Sequence, residues 1–547
     1  MTPSEGIDRF MRRLPNSETL RKELPLLTAF LAGVLIRFYK LPQQILVGDE
    51  WHSINKLLTS GYTDILTDFG KNDHSIPLTL LFRFLTENLI LTEWLMRTPS
   101  FLAGTAFLIA APLLLRRFFG RSATNLLAWL IALSPLLIYY SRMARPYSIT
   151  VLLSLVGVVT FYKWWTVSDS HSYLKWVYIS CAVPAPWFNL ACLPTVLSPL
   201  GFAALERTTG RGRSWGQLFG CTAWTGVGMG LLLGPPLMTR FQAISDKLGQ
   251  SAPTLETVEK FFQFMFGLGS STLLPVLGIL TALGIWVALG RERRLTLLLL
   301  LTVLLQAFSV VLLQPRHVDA PIAFTRYCLF ACPVLLAFLA IGLVRVDCWF
   351  RDLVGGMPSL IPPLSVACLV YFGPLLSIYT QPNNWTNQTP FPDEPKYAPL
   401  LRKHRPSNFP QFYYDLSRLP AGSRLLLEAP WYYFWHSFPL YQQIHRQRML
   451  IGFVDTSLIR VPPGEIPFGK SGIRFSNSVH VRDHARLMAK GVDFVVFHKQ
   501  IREEMGIDPR VGAVDVLRWI EEYRTLYGEP VYEDSFLTVF DVKALQG

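Results

Sequence analysis

Residues 291–314 read RERRLTLLLLLTVLLQAFSVVLLQ: basic residues crowded around one acid, then about 20 residues without a charge. A helix of that length rises about 30 Å, the thickness of a hydrocarbon core, so the run is read as a membrane span. Similar runs recur at 24–41, 98–115, 122–140, 148–165, 174–189, 191–206, 216–238, 269–289, 323–345 and 359–380, making about eleven expected spans, of which the fifth and sixth, separated only around Asn189, also read as one kinked unit. Hydrophobic residues make up 51% of the chain and charged ones 16%, an apolar excess that a soluble fold has no interior to hide. The expected fold class is a polytopic α-helical membrane protein.

The arginines that open the quoted stretch also orient it, because basic residues in short connections stay on the cytoplasmic side. Arg9, Arg12, Arg13, Arg21 and Lys22 precede the first span, Arg116, Arg117 and Arg121 follow the second, and Arg207, Arg211 and Arg213 follow the sixth. Alternation from a cytoplasmic N-terminus puts every cluster inside, Arg291, Arg293 and Arg294 included. The same parity places residues 42–97, 141–147, 239–268, 315–322 and all that follows 380 outside. The net charge of +13 is thus a topology signal with an attraction to anionic membrane lipids, and it gives no ground for a nucleic-acid partner. The long, basic, polar start is expected to lead into an anchor rather than a cleaved signal peptide.

Residues 42–97 are long for a connector. Asp49 and Glu50 lie side by side just beyond the first span, followed by Ile54, Leu57, Leu58, Ile65 and Leu66, which approximate one apolar helical face interrupted at Gly61. A second helix is expected to start near Pro77 with Ser75 as its cap and to carry Leu78, Leu81, Phe82, Leu85 and Leu89. Such helices are expected to lie in the interface with their apolar faces in lipid, over the carboxylates.

Composition changes after residue 380. An Asn-, Thr- and Pro-rich stretch at 381–395 leads to a soluble external domain, so the chain divides into a membrane domain at 1–380 and an external domain at 381–547. Leu425–Glu428, Met449–Val454 and Asp493–His498 are expected strands, 484–490 a helix and 530–542 a closing hairpin, together a small α/β domain. Asn384-Trp-Thr and Asn387-Gln-Thr match the glycosylation pattern, which matters only in a secretory pathway. The seven cysteines lie in or beside spans or in an inside loop and show neither a disulfide framework nor a zinc pattern.

Arg142 and Arg145 fall at the external interface, and Arg326 enters another span from the same side, against the bias that explains the inside arginines. Arginine pairs bidentately with phosphate, so a phosphate-bearing ligand is one reading, with Tyr147 as a hydrogen-bond partner; snorkelling side chains that anchor helix ends are the other. Asp49 or Glu50 with Asp73 and His74 is a conceivable divalent-metal site, set against substrate positioning or helix capping.

Gly48-Asp49-Glu50, Asp73-His74-Ser-Ile-Pro77-Leu78, Arg97-Thr-Pro-Ser100, Ser141-Arg-Met-Ala-Arg145-Pro-Tyr147-Ser148 and Arg326-Tyr327 occur in that order. Together they resemble the multi-spanning glycosyltransferases of family 39 type, which include protein O-mannosyltransferases and lipid A aminoarabinose transferases. Gly491-Val-Asp-Phe-Val-Val-Phe-His498 and Tyr527-Gly-Glu-Pro-Val-Tyr532-Glu-Asp are similar to the periplasmic domain of bacterial members. The resemblance covers nearly the whole chain. It implies a GT-C fold in a bacterial inner membrane and transfer of one sugar from a polyprenyl-phosphate donor to a lipid, glycan or protein acceptor on the external face. Asp49 matches the first acid of the family's pair and is the expected base, with Glu50 orienting it or the substrate. Asp73, His74, Arg142, Arg145, Tyr147, Arg326 and Tyr327 are expected to bind substrate. His74-Ser-Ile-Pro77 departs from the family's commoner His-Pro-Pro-Leu.

A transporter or channel also has many spans. It fits less well, since no internal repeat and no obvious mid-span ionisable residue marks a translocation path. A receptor or scaffold leaves the ordered outer-loop motifs unexplained.

Overall fold

The computed structural model describes residues 17–39, 41, 50, 53, 56, 60–69, 75–88, 93–167, 171–355, 358–375, 410–429, 441, 444–453, 478–481, 483–499 and 513–543. The described residues fall into two compact units. One comprises Met1–Leu41, Arg97–Pro235 and Phe241–Leu376, and the other Pro42–Met96, Pro236–Arg240 and Ser377–Gly547.

Helices dominate up to residue 372. They are α1 (Ser17–Phe38), α2 (Tyr62–Leu66), α3 (Ile76–Asn88), α4 (Glu93–Phe119), α5 (Arg121–Leu133), α6 (Pro135–Ser141), α7 (Tyr147–Thr166), α8 (Tyr173–Ala182), α9 (Pro184–Phe188) and α10 (Leu193–Thr208). There follow α11 (Trp215–Ser245), α12 (Leu255–Phe266), α13 (Leu274–Arg291), α14 (Arg293–Leu313), α15 (Pro321–Tyr327), α16 (Ala331–Val354) and α17 (Ile361–Phe372). This is a multi-pass membrane protein in which not every expected run forms one helix of spanning length. Among the described residues, six helices are long and apolar enough to cross a membrane, and seven if α5 and α6, bent by 60°, form one span.

The difference has a local cause. Hydropathy registers apolar runs but not the breaks inside them. The expected span 174–189 is cut by Pro184 and ends at Asn189, whose side chain accepts from the Ala191 N–H at 3.3 Å to open a 3₁₀ turn. α10 and α17 are helical but short, and 323–345 is divided between α15 and α16. The 60° bend falls at Ser134-Pro135, where the Ser134 hydroxyl accepts from Leu137 N–H at 3.4 Å and proline takes the first helical position.

Packing among the spans relies on small and polar residues, as it must where lipid offers apolar side chains as good an environment as protein does. α13 and α16 cross at Gly284 and Gly342; a Cβ at Gly284 would come within 1.8 Å of the Phe338 carbonyl oxygen, and one at Gly342 within 2.0 Å of the Leu280 oxygen. α10 and α14 share a polar seam. Thr195 donates to Gln306 Oε1 at 2.8 Å, and the Ser198 and Thr302 hydroxyls lie 2.6 Å apart.

Within the other unit, α3 begins one residue before Pro77, as the sequence led one to expect. Ser75, however, supplies its carbonyl to Thr79 N–H at 2.8 Å rather than its hydroxyl, which is buried and caps nothing among the described residues. Leu78 and Phe82 are buried in protein, so this part of the expected lipid-facing surface is packed inward instead. Gly61 marks the start of α2, and Ile65 is buried.

The C-terminal sequence forms a mixed six-stranded sheet with strands β1 (Leu425–Ala429), β2 (Arg448–Phe453), β3 (Ser478–His480), β4 (Phe494–His498), β5 (Tyr532–Glu533) and β6 (Leu537–Asp541). Their order is β3-β2-β1-β4-β6-β5. β3, β2, β1 and β4 run parallel, while β6 is antiparallel to β4 and pairs β5 in the expected hairpin. β1 is buried along its whole length, which is why Leu425-Leu-Leu reads as a continuous apolar run. Glu428 in that strand is compensated by His498 Nε2 at 2.7 Å and the Tyr413 hydroxyl at 3.0 Å. Helices α18 (Gln411–Ser417), α19 (His484–Ala489) and α20 (Ala513–Tyr527) complete this domain.

Two groups here make its stability depend on pH. Burial pushes His445 down to about 3, and its Nδ1 accepts from Gln447 N–H at 2.9 Å, which requires the unprotonated nitrogen. Burial alone would raise Asp493, but Lys543, the Leu425 N–H and Arg424 hold it below the usual carboxylate range. A depressed folded value means that the unfolded chain binds the proton first. The His445 contribution is therefore complete above about pH 6.5 and declines by about 1.4 kcal/mol per unit as pH falls toward 3, with Asp493 adding to the loss only below its unfolded value. Denaturant midpoints for protease protection of a C-terminal tag should drop between about pH 7 and about pH 5, and His445→Leu should flatten the slope. An unchanged midpoint in wild type would remove His445 as a determinant.

Candidate active site

Two of the sequence motifs that are separated along the chain come into contact. The turn from α6 to α7 is buried throughout residues 141–148, and α4 lies against it. A Cβ at Gly104 of α4 would come within 2.3 Å of Ser141 Cβ, so glycine at this position permits the approach. Ser100, from the Arg97–Ser100 motif, donates its hydroxyl proton to the Arg145 carbonyl at 2.6 Å. The Arg145 guanidinium carbon is 5.7 Å from the centre of the Tyr147 ring, which meets Tyr140 edge-on at 4.8 Å. Tyr147 thus faces Arg145 with its ring as well as carrying the hydroxyl that the sequence singled out.

Arg97, Arg142 and Arg145 are all buried, at 0%, 6% and 6% exposure. A guanidinium taken out of water is costly unless anions or strong acceptors meet it. Arg142 has acceptors: one amino group donates to the Tyr39 carbonyl at 2.8 Å and the Ile36 carbonyl at 3.3 Å, closing orphan carbonyls at the end of α1. This helix-anchoring role spans over 100 residues of sequence, and no local pattern announces it.

Arg37 does the same for the bent span. It is buried and donates to Gly33 and Ala132 carbonyls at 3.0 and 3.1 Å and to Ile131 at 2.9 Å, fixing the end of α5 immediately before the bend. Sequence reasoning passed over it, although an arginine within an apolar run is the signal that should have drawn attention.

Arg326 and Tyr327 form a second cluster around Gln306. The Arg326 guanidinium carbon lies 5.5 Å from the Tyr327 ring centre. Gln306 donates to the Tyr327 carbonyl at 2.8 Å and the Ala191 carbonyl at 2.7 Å while accepting from Thr195, so the buried amide ties three elements together. The amphipathic helix α12 packs against both α6 and α15 and so borders both clusters. Phe261 meets Phe324 at 5.2 Å, and Thr257 donates to the Asp319 carbonyl at 2.6 Å.

The acids belong to the other unit. Glu50 is fully buried. Asp49, Asp73 and His74 lie outside the described residues, as do Leu57 and Leu58 of the expected helix and the two glycosylation patterns. Among the described residues, no group of three His, Cys, Asp or Glu is placed to hold a metal ion. The cysteines there are free thiols, all within the first unit.

The chain matches no protein-family model and no curated protein. Solved structures do match. ArnT from Cupriavidus metallidurans in its apo state superimposes with a TM-score of 0.50 at 13% identity, covering 94% of this chain and 97% of that one. The same protein bound to undecaprenyl phosphate gives 0.47 at 14% identity, covering 95% and 98%. The archaeal oligosaccharyltransferase AglB from Archaeoglobus fulgidus, in complex with an inhibitory peptide and a dolichol-phosphate, gives 0.41 at 13%, covering 89% and 70%. The fold of this chain, a helical membrane domain followed by a mixed sheet, therefore resembles that of ArnT.

Proposed function

We propose that this protein is an integral-membrane glycosyltransferase that moves one sugar from a polyprenyl-phosphate donor to an acceptor on the external face. The observation that supports the reading is the ArnT-like fold over nearly the full length of both chains, in a sequence of which two motifs, Arg97–Ser100 and 141–148, meet at a buried turn. The likeness to apo ArnT supports the fold, and the polyprenyl-phosphate donor is the proposal that the ordered motifs suggest.

Chemically, the acceptor hydroxyl oxygen attacks the anomeric carbon and the bond from that carbon to the phosphate oxygen breaks. The phosphate is a good leaving group and departs on its carrier, so no general acid is needed. Asp49 receives the hydroxyl proton, and Glu50 orients it. Arg145 and Arg326 hold the donor phosphate, with Arg142 as a third positive group, and Tyr147 and Tyr327 bound the pocket. Asp73 and His74 position substrate; a divalent ion at the acids is the variant of this scheme that chelation tests. The sheet domain lies outside the membrane. The acceptor is a lipid, glycan or protein.

Purified protein given a polyprenyl-phosphate sugar should release or transfer the sugar. Absence of turnover over a panel of donor sugars, with or without divalent metal, would overturn the reading. Orientation has its own test. Tags near residues 210 and 292 should report cytoplasm, and tags near 45 and after 390 the outside. A cytoplasmic C-terminal tag would defeat the orientation and with it the external site.

A further inference from the structure

The arginines at one end of the helix bundle are unequally neutralised. Arg294 pairs bidentately with Glu206 at 2.6 Å for both bonds, and Arg116 with Glu23 at 2.8 Å for both. Arg291, Arg293 and Arg345 make no ion pair among the described residues, although all three line one open cleft of about 660 Å³. Arg291 donates one long hydrogen bond, 3.4 Å, to the Phe119 carbonyl, and the Arg345 guanidinium carbon sits 5.0 Å from the Trp349 ring centre. The remaining wall is apolar and includes Trp286, Leu289 and Leu297. Trp286 is 65% exposed within the last turns of a spanning helix, where an aromatic ring marks the level of lipid head groups.

We infer that this cleft holds the phosphate head group of an anionic phospholipid, with acyl chains lying along Trp286 and Leu297. Three positive charges that line one cleft, without carboxylate partners among the described residues, specify an anion. Planar guanidinium forks favour phosphate over a carboxylate or halide. An apolar wall facing the hydrocarbon specifies that the phosphate is attached to a lipid, since a free anion gains nothing from Trp286. Positive side chains near a membrane surface attract anionic lipid generally; the cleft adds a place where one molecule is retained. This site is separate from the donor-binding turn at 141–148 and goes beyond the glycosyltransferase reading, whose failure would leave it standing.

The test uses the full chain in a neutral detergent, with bound lipids counted by native mass spectrometry after adding phosphatidylglycerol or phosphatidylcholine. Wild type should retain phosphatidylglycerol about tenfold better, the scale of one or two charge-assisted bonds. R291Q/R293Q/R345Q should abolish that preference, whereas R9Q/R12Q/R13Q, which removes the same charge elsewhere, should preserve it. Arg345→Glu, a single change at an exposed position, should also abolish it and guards against misfolding of the triple variant. Equal retention of the two lipids by wild type, or undiminished preference in either cleft variant, would overturn the assignment. So would displacement of the lipid by inorganic phosphate as effectively as by short-chain phosphatidylglycerol, which would make the cleft a free-anion site.

Discussion

Asp49→Asn is expected to abolish sugar transfer while leaving protein abundance and donor affinity near wild type. The amide keeps the size of the carboxylate but does not take up the acceptor's proton, so the loss falls on turnover, commonly 10²–10⁴-fold for a general base. Glu50 sharpens the expectation. It is fully buried and next to Asp49 in sequence, which suits the orienting role proposed for it. Glu50→Gln should therefore reduce turnover less than Asp49→Asn does. Single-turnover transfer from a labelled donor, measured with donor binding on the same preparations, separates the outcomes. Near-wild-type turnover in Asp49→Asn would move the base to Glu50 or Asp73.

The spans were legible because apolar length is a direct consequence of bilayer thickness: 295–314 and 148–165 were placed within a few residues of α14 and α7. The sheet domain was legible for a related reason, since strands buried on both faces read as unbroken apolar runs, and β1 and β4 follow that rule. Breaks within spans were less visible. Ser134-Pro135 carries the cap and first-turn proline of a new helix, a local signal that the surrounding hydropathy masked. α12 shows the same failure. Thr254 and Thr257 cap its start reciprocally and Gly267 follows its end, yet it was absorbed into an outer loop because it is too short and polar to span.

The candidate site divides in the same way. Residue types and their order drew attention to Arg142, Arg145 and Tyr147, but which partners they meet depends on contacts far apart in sequence. Ser100 reaches Arg145 across 45 positions and Arg142 reaches Tyr39 across 103. Such pairings leave no periodic trace. For Arg142 the bonds to α1 are the role on view, and phosphate recognition is the proposed one. A variant at Arg142 would disturb both roles together and decide neither.

Arg145 offers the cleaner separation, and its substitution should have the second large effect. The contact the Arg145 main chain makes with Ser100 uses the carbonyl, so side-chain replacement leaves that bond in place. Lysine keeps the charge and reaches a helix end, but it does not reproduce the planar fork that meets a phosphate with two bonds. It also loses the flat face that lies over Tyr147. If Arg145 only anchors the turn, Arg145→Lys should bind donor as wild type does. If it holds the polyprenyl phosphate, lysine should weaken donor binding and alanine should weaken it further, with topology and acceptor affinity unchanged. Charge-assisted hydrogen bonds contribute about 1.5–3 kcal/mol each, so Arg145→Ala should lose roughly tenfold to a hundredfold in donor affinity. Binding of a non-transferable donor analogue to purified variants measures this directly. Unchanged affinity in both would remove Arg145 from the phosphate site and leave Arg326 as the residue to test next.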